Sequence, residues 1–282
     1  MRSQSAKAAV FRALHERKGA FIIANPWDAG SARILEALGF EALATTSAGL
    51  AFALGVQDGS ASRAQTLANA KAIVEAVDLP VSADLESGFG HRPETVAETI
   101  AMAGAAGLVG GSIEDATGEA DAPIYAFDHA VARVAAAAKA ACSLPSGFVL
   151  TARAENFIHG RADLDDTIAR LIAFERAGAD VLYAPGLPNL EAVRKVCRAV
   201  SQPVNFVAGW GGEALSVARL ASAGVRRISL GSSLARAALG GLVEAASEIR
   251  DDGTFGFAAR ALPYAKANAF MRPATRRRRG FP

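Results

Sequence analysis

The chain has 282 residues, and its 51% apolar content is enough to bury a large core. Its 30 basic and 28 acidic residues leave a net charge of +2, which gives no reason to expect nucleic acid or a membrane surface as a partner. No apolar run reaches the ~18 residues of a membrane span, and residues 1–18 lack the apolar segment of a secretory signal. Cys142 and Cys197, which lack metal-ligand spacing, are interpreted as buried, inert thiols in a reducing, cytoplasmic setting.

Short β-rich runs alternate with longer alanine-rich stretches of helical period along the chain. After an N-terminal helix, strands are predicted at 21–24, 42–46, 80–84, 107–113, 148–152, 180–184, 203–208 and 227–230. Helices are predicted at 29–38, 63–77, 93–106, 128–141, 164–177, 190–200, 213–223 and 232–249. An extra C-terminal helix is expected within 254–270, and the arginines at 276–279 are interpreted as a solvated basic tail.

Repeated β-α units predict a parallel sheet, and eight of them predict a closed (β/α)8, TIM-type barrel of the α/β class. The main alternative is an open doubly wound sheet, which favours Gly-x-Gly-x-x-Gly after the first strand. Residues 25–30 instead read Asn-Pro-Trp-Asp-Ala-Gly, so a dinucleotide site is not expected. No low-complexity linker divides residues 1–282, which we interpret as one domain with a barrel core at about 20–250 and an extension at about 251–282.

The segment 80–90, Pro-Val-Ser-Ala-Asp-Leu-Glu-Ser-Gly-Phe-Gly, carries the strongest chemical signal. Asp84 and Glu86 end a predicted strand, and they share a face because alternate strand residues point the same way. Two adjacent half-buried carboxylates repel each other unless a cation or a proton lies between them. The motif therefore predicts a site for Mg²⁺, which prefers oxygen ligands; a pair of solvated acids in a loop is the alternative.

Active sites of barrel enzymes lie at the carboxyl ends of the strands, where this chain places many polar residues. The candidate site residues at these strand ends, together with the small or aromatic residues between the polar ones, are Asn25, Trp27, Asp28, Thr45, Thr46, Ser47, Ala48, Gly49, Asp58, Asp84, Glu86, Glu114, Asp115, Arg153, Glu155, Asn156 and Asn205. Carboxylates thus gather at one mouth of the barrel with a single arginine among them. This convergence predicts a metal-dependent active site.

The residue types suggest how such a site would work. Asp84, Glu86 and Glu114 are predicted to hold Mg²⁺ directly or through water, which Asp58 and Asp115 would orient. The planar guanidinium of Arg153, with its paired N–H donors, suits a substrate carboxylate or phosphonate. Backbone amides at 47–49 are predicted to receive an anionic oxygen. A bound Mg²⁺ would polarise a 2-oxo group and stabilise an enolate.

Each of these residues also has a structural alternative. Asp28 would serve equally well as a helix cap, and Asn205 as a hydrogen-bonded residue of the barrel interior. For Arg153, the alternative to substrate binding is that it only neutralises Glu155. For Trp27, packing is a better explanation than substrate stacking.

The ordered motifs resemble the isocitrate lyase/phosphoenolpyruvate mutase superfamily. The matching segments are 25–28, 45–49, 54–59, 83–90, 113–115, 151–154 and 203–205. The resemblance implies a barrel whose last helix is often exchanged between subunits of a dimer or tetramer. It also implies Mg²⁺ or Mn²⁺ and a small 2-oxo acid or its enolate, with no nucleic-acid or membrane partner.

The resemblance also assigns roles. Asp84 is the expected principal metal ligand, with Glu86, Glu114 and Asp58 in or near the water shell of the metal. Arg153 is expected to bind the acid end of the substrate. The further substrate-binding residues expected are Trp27, Asp28, Thr46, Ser47, Ala48, Gly49 and Asn205, and the catalytic residues are Arg153, Asp58 and Glu114.

The chain departs from the family at several positions. Glu86 stands where aspartate is common, and the loop 116–125 lacks both the cysteine motif of the lyases and the lysine and asparagine of the mutases. The segment 185–187 lacks the glutamate or histidine of several branches. Tyr125 is a weak candidate proton donor.

The sequence thus predicts a Mg²⁺-dependent lyase-like enzyme that cleaves a C–C or P–C bond beside the 2-oxo group of a small 2-oxo or 2-hydroxy dicarboxylic acid. The alternative is a non-catalytic protein that binds or senses a 2-oxo acid such as 2-oxoglutarate or oxaloacetate. An aldolase with a lysine Schiff base is disfavoured, because no lysine lies at a strand end.

Overall fold

Eight parallel strands form the sheet of the computed structural model, which describes residues 1–209 and 215–272. The strands are β1 (Phe21–Ile23), β2 (Leu43–Ala44), β3 (Val81–Asp84), β4 (Gly110–Glu114), β5 (Val149–Arg153), β6 (Val181–Tyr183), β7 (Val204–Val207) and β8 (Arg227–Ser229). Their order in the sheet is β1-β8-β7-β6-β5-β4-β3-β2. A parallel bridge between Ala24 and Leu43 joins the two ends, which confirms the (β/α)8 barrel.

Helices alternate with the strands and cover the outside of the sheet. They are α1 (Gln4–Glu16), α2 (Ala29–Ala37), α3 (Ser47–Ala53), α4 (Arg63–Ala76), α5 (Pro93–Ala105), α6 (Phe127–Cys142), α7 (Leu164–Arg176), α8 (Leu190–Ala199), α9 (Val217–Ser222), α10 (Ser233–Asp252) and α11 (Tyr264–Phe270). In the described residues no helix is long and apolar enough to cross a membrane.

The structure departs from the sequence predictions mainly at connections. α3 was not predicted, because its first residues were taken for the loop that ends the second strand. Residues 254–270 form a 3-10 turn (Gly256–Ala259) and the short α11, in place of one helix. The predicted start of the helix at 213–223 and the basic tail at 276–279 lie outside the described residues.

The prediction of two buried thiols is wrong for Cys142, which is exposed in the last turn of α6. Cys197 is half-buried in α8, and burial raises the pKa of its thiol to about 11. The surroundings of Cys197 therefore keep its thiol in the unreactive, protonated form.

The helix α10 is long but poorly covered by the rest of the chain. Ala235 is the one buried residue among its 20. Leu242 and Val243 are 64% and 63% exposed, and Leu239 and Ile249 are also exposed. Apolar side chains exposed together on one helix are typical of a surface that contacts another protein.

The helix α1 closes the amino-terminal end of the barrel. Phe11 is fully buried there, and its ring packs edge-on against His15 with centroids 4.8 Å apart. The ring also fills the space above Gly110, where an added Cβ would lie 2.7 Å from Phe11 Cε1. Phe11 is therefore tightly packed at this end of the barrel.

We predict that Phe11→Ala lowers the free energy of unfolding by about 3–5 kcal/mol, because it leaves a cavity at this end of the barrel. Val10→Ala is the matched control on the same helix; because Val10 is 36% exposed, the change should stay within about 0.5 kcal/mol. Urea denaturation followed by circular dichroism measures both. Equal losses in the two variants would contradict the closing role assigned to Phe11.

Candidate active site at the carboxyl ends of the strands

The ends of β3, β4 and β5 bring acidic side chains around one guanidinium. Arg153 Nη1 lies 3.2 Å from Asp84 Oδ1 and 3.1 Å from Glu114 Oε2, while Arg153 Nε lies 2.8 Å from Glu155 Oε1. The pairing of Glu114 with Arg153 in the sheet places these two side chains at the same level. The structure therefore gathers three carboxylates on one arginine that is largely buried.

Two further carboxylates interact electrostatically with this group. The pKa of Glu86 is raised to about 7 by its burial and then by the charges of Asp84 and Asp58. Burial likewise raises the pKa of Asp58, and the charge of Asp84 adds to this. Burial raises the pKa of Glu114 well above its usual range, even though Arg153 opposes the shift. The site thus holds five acidic groups and one arginine, and burial makes several of these acids harder to ionise.

The side chains present fit a divalent cation. Glu86 Oε1 is buried without a hydrogen-bond partner in the structure, although a carboxylate oxygen in that setting normally has one. Across residues 1–209 and 215–272, no three acidic, histidine or cysteine side chains form a metal-ligand group. Mg²⁺ is commonly held by one or two carboxylates and several waters, so the donor set is compatible with it. The ligand assignment to Asp84, Glu86 and Glu114 stays a prediction.

An arginine on α6 holds the loop that carries Glu86. Arg133 is 1% exposed, and its Nη1 donates to the carbonyls of Gly90 and His91, both at 2.6 Å, while Nη2 donates to the carbonyl of Ser87. Glu86 has a φ of 49°, in the left-handed region that costs a non-glycine residue energy. The hydrogen bonds of Arg133 help to keep this loop in its strained conformation.

Asp115, which was predicted to orient metal-bound water, is engaged with other protein groups. Its Oδ2 lies 2.9 Å from Arg170 Nη1, and its Oδ1 accepts a hydrogen bond from the Glu155 amide at 2.8 Å. Both oxygens are thus used inside the protein. Asp115 supports the segment that carries Glu155, one of the partners of Arg153.

The amides at 47–49 are less available than predicted. Ser47 N lies 3.4 Å from Asp84 Oδ2, and Gly49 N donates to Thr46 Oγ1 at 3.3 Å, since Thr46 caps α3. A Cβ on Gly49 would lie 2.6 Å from Thr46 Cγ2 and 2.9 Å from Trp27 Cβ, so this position requires glycine. Trp27 therefore packs against the start of α3, as its structural alternative states.

Two other predicted substrate contacts have structural partners. Asp28 caps α2, where its Oδ1 accepts from the amide of Ser31 at 2.6 Å. Asn205 is 2% exposed; its Nδ2 donates to Ser229 Oγ at 3.0 Å and its Oδ1 accepts from Arg227 Nε at 2.8 Å. These contacts are the structural alternatives considered for both residues, and their contact with substrate stays a prediction.

A cavity of about 290 Å³ opens at this mouth of the barrel. Its lining includes these predicted site residues: Thr46, Ser47, Ala48, Asp58 and Arg153. It also includes residues that the sequence reasoning missed, among them Phe52, Tyr183 and Arg236. Tyr183 is the next-to-last residue of the strand predicted at 180–184 and was recognisable by that position, whereas Arg236 lies inside a helix and gave no signal. A larger cavity, of about 460 Å³, lies around His15 at the opposite end of the barrel, away from the carboxylates.

Tyr183 stands beside the shared arginine. Its ring centroid lies 5.0 Å from Arg153 Cζ, and burial raises the pKa of its hydroxyl further above the usual value. Tyr125 is instead tied to the neighbouring loop, because its hydroxyl is 2.7 Å from His91 Nδ1 and its ring lies under Arg133 at 4.1 Å. The role of Tyr125 as proton donor stays a prediction.

Comparison with known proteins places this geometry in a family. The family described as phosphoenolpyruvate phosphomutase matches residues 11–250. A crystal structure of a candidate lyase/mutase from Burkholderia cenocepacia is 59% identical with a TM-score of 0.93, and the match covers 94% of this chain and 96% of that one.

Two curated proteins extend the comparison. An uncharacterised protein of Mycobacterium tuberculosis is 31% identical over 261 residues, covering 92% of this chain and 95% of its own. An oxaloacetate decarboxylase of Chromohalobacter salexigens is 26% identical over 260 residues, covering 86% and 84%. The family match at residues 11–250 includes all eight strands of the barrel.

We predict that the contribution of Glu86 to the stability of the metal-free protein is lost as the pH rises from 5 to 8, whereas the buried His15, whose pKa is lowered to about 3, contributes a change of opposite sign. Glu86 has a folded pKa of about 7, above its usual value of 4.5, so between these values the folded state binds more protons than the unfolded state. The stability from this group is complete below pH 4.5 and is lost as the pH rises through 7. The difference in melting temperature between the wild type and Glu86→Gln, taken in a chelator at pH 5, 6, 7 and 8, isolates this loss.

Glu86→Gln should flatten this pH dependence, because the amide cannot ionise. Glu75→Gln, on the exposed face of α4, is the control and should leave the pH profile unchanged. A profile that is as steep in Glu86→Gln as in the wild type would contradict the assignment to Glu86.

Proposed function

The chain belongs to the phosphoenolpyruvate phosphomutase family, and we propose that it is a divalent-metal-dependent lyase that cleaves a C–C bond beside the 2-oxo group of a small dicarboxylic acid. The observation that carries this proposal is the excess of buried carboxylates around Arg153 at the mouth of the barrel. The similarity to an oxaloacetate decarboxylase supports the substrate class and the bond.

The residues suited to hold Mg²⁺ or Mn²⁺ are Asp84, Glu86 and Glu114. Asp84 is central among them, because its carboxylate touches Arg153 and the amide of Ser47, and its charge raises the pKa of Glu86. An ion bound there supplies Lewis-acid polarisation of a 2-oxo group. Asp58, which lines the cavity, is placed to orient a water molecule or the substrate.

The other polar side chains of the cavity bind and orient the substrate. The charges of Glu155, Glu114 and Asp84 hold the pKa of Arg153 well above its usual range, so its guanidinium stays positive while it binds an acid group. Burial raises the pKa of the Tyr183 hydroxyl, so this group stays protonated and Oη can donate a hydrogen bond.

The known relatives give no support to the alternative of a non-catalytic 2-oxo acid sensor. P–C bond cleavage and a cytoplasmic location stay predictions of the sequence.

We propose in addition that two or more copies of the chain associate through α10. Such a contact would bury the exposed apolar residues of this helix, which are Leu239, Leu242, Val243 and Ile249. A dimer or a tetramer built on this contact is the assembly that the sequence resemblance implies.

We predict that Asp84→Ala lowers Mn²⁺ affinity by more than about 100-fold. Loss of a residue that only hydrogen-bonds to a metal ligand lowers metal affinity by about 10- to 100-fold, and loss of the ligand itself should lower it further. Calorimetry measures binding, and circular dichroism checks that the fold is kept. Turnover is assayed on oxaloacetate, 2-methylisocitrate and 2,3-dimethylmalate, with and without Mg²⁺. The Mg²⁺-dependent turnover should be lower in Asp84→Ala than in the wild type. Glu75→Gln again serves as the control for loss of an exposed carboxylate.

The proposed function would be overturned by a wild-type protein that binds the metal but turns over no 2-oxo or 2-hydroxy dicarboxylate. Unchanged Mn²⁺ affinity in Asp84→Ala would remove Asp84 from the site, and unfolding of this variant would indicate a structural role in place of metal binding.

For the assembly, we predict that Leu242→Glu combined with Val243→Glu lowers the molar mass in light scattering to that of one chain or a smaller oligomer, because buried charges oppose association. Leu38→Glu is the control, since Leu38 is 60% exposed at the end of α2. A wild-type mass of a single chain, or an unchanged mass in the double variant, would contradict the role of α10.

A further inference from the structure

Two arginines line the cavity, and they reach it from different places in the barrel. Arg153 ends β5, while Arg236 lies in the first turn of α10, directly after β8. β8 is three strands away from β5 in the sheet order. An acidic molecule in this small cavity therefore meets positive charge from two separate parts of the rim.

The two arginines differ in how far their charges are balanced. Arg153 is paired with three carboxylates, as described above. Arg236 Nη2 donates to the carbonyl of Gly209 at 3.0 Å and lies 3.5 Å from Ser233 Oγ. Among residues 1–209 and 215–272, no carboxylate forms an ion pair with Arg236. Its positive charge is thus available to an anion.

The position of Arg236 is fixed by the close contact between the end of β7 and the start of α10. Ser233 Oγ donates to the carbonyl of Gly209 at 3.1 Å. A Cβ on Gly209 would lie 2.6 Å from Ser233 Oγ. Gly209 also has a φ of 84°, which favours glycine. Ser232 and Ser233 add hydroxyl groups to the same part of the lining.

We propose that Arg236, with Ser232 and Ser233, binds the distal carboxylate of a 2-oxo dicarboxylate whose 2-oxo end lies toward Arg153. This assignment rests on the proposed function, since it concerns the second acid group of the same substrate. Leu230 and Val207 line the cavity as well and suit the short carbon chain. The volume of about 290 Å³ is at the small end of ligand pockets, which favours a substrate of few carbons.

The test compares matched ligands that differ in the distal carboxylate. Oxaloacetate and 2-oxoglutarate are measured against 2-oxobutyrate and 2-oxopentanoate by calorimetry, in the presence of Mg²⁺. The wild type should bind at least one dicarboxylate more than about 10-fold more tightly than its monocarboxylate counterpart, because the second acid group gains a charge-assisted hydrogen bond.

Arg236→Gln should lower dicarboxylate affinity by about 10- to 100-fold and leave monocarboxylate affinity within about twofold. Arg236→Lys should retain part of the preference, because it keeps the charge but not the planar fork. Arg250→Gln, at the other end of the same helix, is the control and should match the wild type.

The proposal is overturned if Arg236→Gln weakens both kinds of ligand equally, if it changes neither, or if the wild type shows no preference for dicarboxylates. Turnover is measured separately. A wild type with the Arg236-dependent preference but without turnover supports the subsite and overturns the lyase, whereas turnover that is indifferent to Arg236→Gln overturns the subsite alone.

Discussion

The candidate site depends on one guanidinium that is shared by carboxylates from three strand ends. Without Arg153, the charges of Asp84, Glu114 and Glu155 would repel one another in a setting where water screens them poorly. The arginine compensates only part of this charge, because Glu86 and Asp58 lie nearby as well. The barrel thus keeps more acidic groups at this mouth than its arginine pairs.

Much of the scaffold around this interaction is set by local patterns. The eight strands were predicted from β-rich runs between stretches of helical period, and parallel pairing followed from their alternation. Asp84, Glu86, Glu114 and Arg153 were predicted as site residues because barrel chemistry lies at strand ends. The helix α3 was missed because its cap, Thr46, reads equally well as a turn residue.

The rest depends on contacts between distant parts of the chain. Arg133 holds carbonyls more than 40 positions earlier, and Arg170 neutralises Asp115 from 55 positions away. Arg236 lies in a helix, where no strand-end rule applies, and only the cavity reveals it. Cys142 was misplaced for a related reason: helical period indicates a buried face, but it does not fix where that face ends.

The helix α10 joins two regions that are usually separate in a barrel. Its first turn carries Arg236 at the cavity, and its exposed apolar residues begin at Leu239, only about 4–5 Å further along the axis. If α10 both lines the ligand pocket and contacts a neighbouring chain, then ligand binding and subunit association are coupled through this one helix. Dilution of the enzyme would then weaken catalysis as well as association, and crowded conditions would favour both.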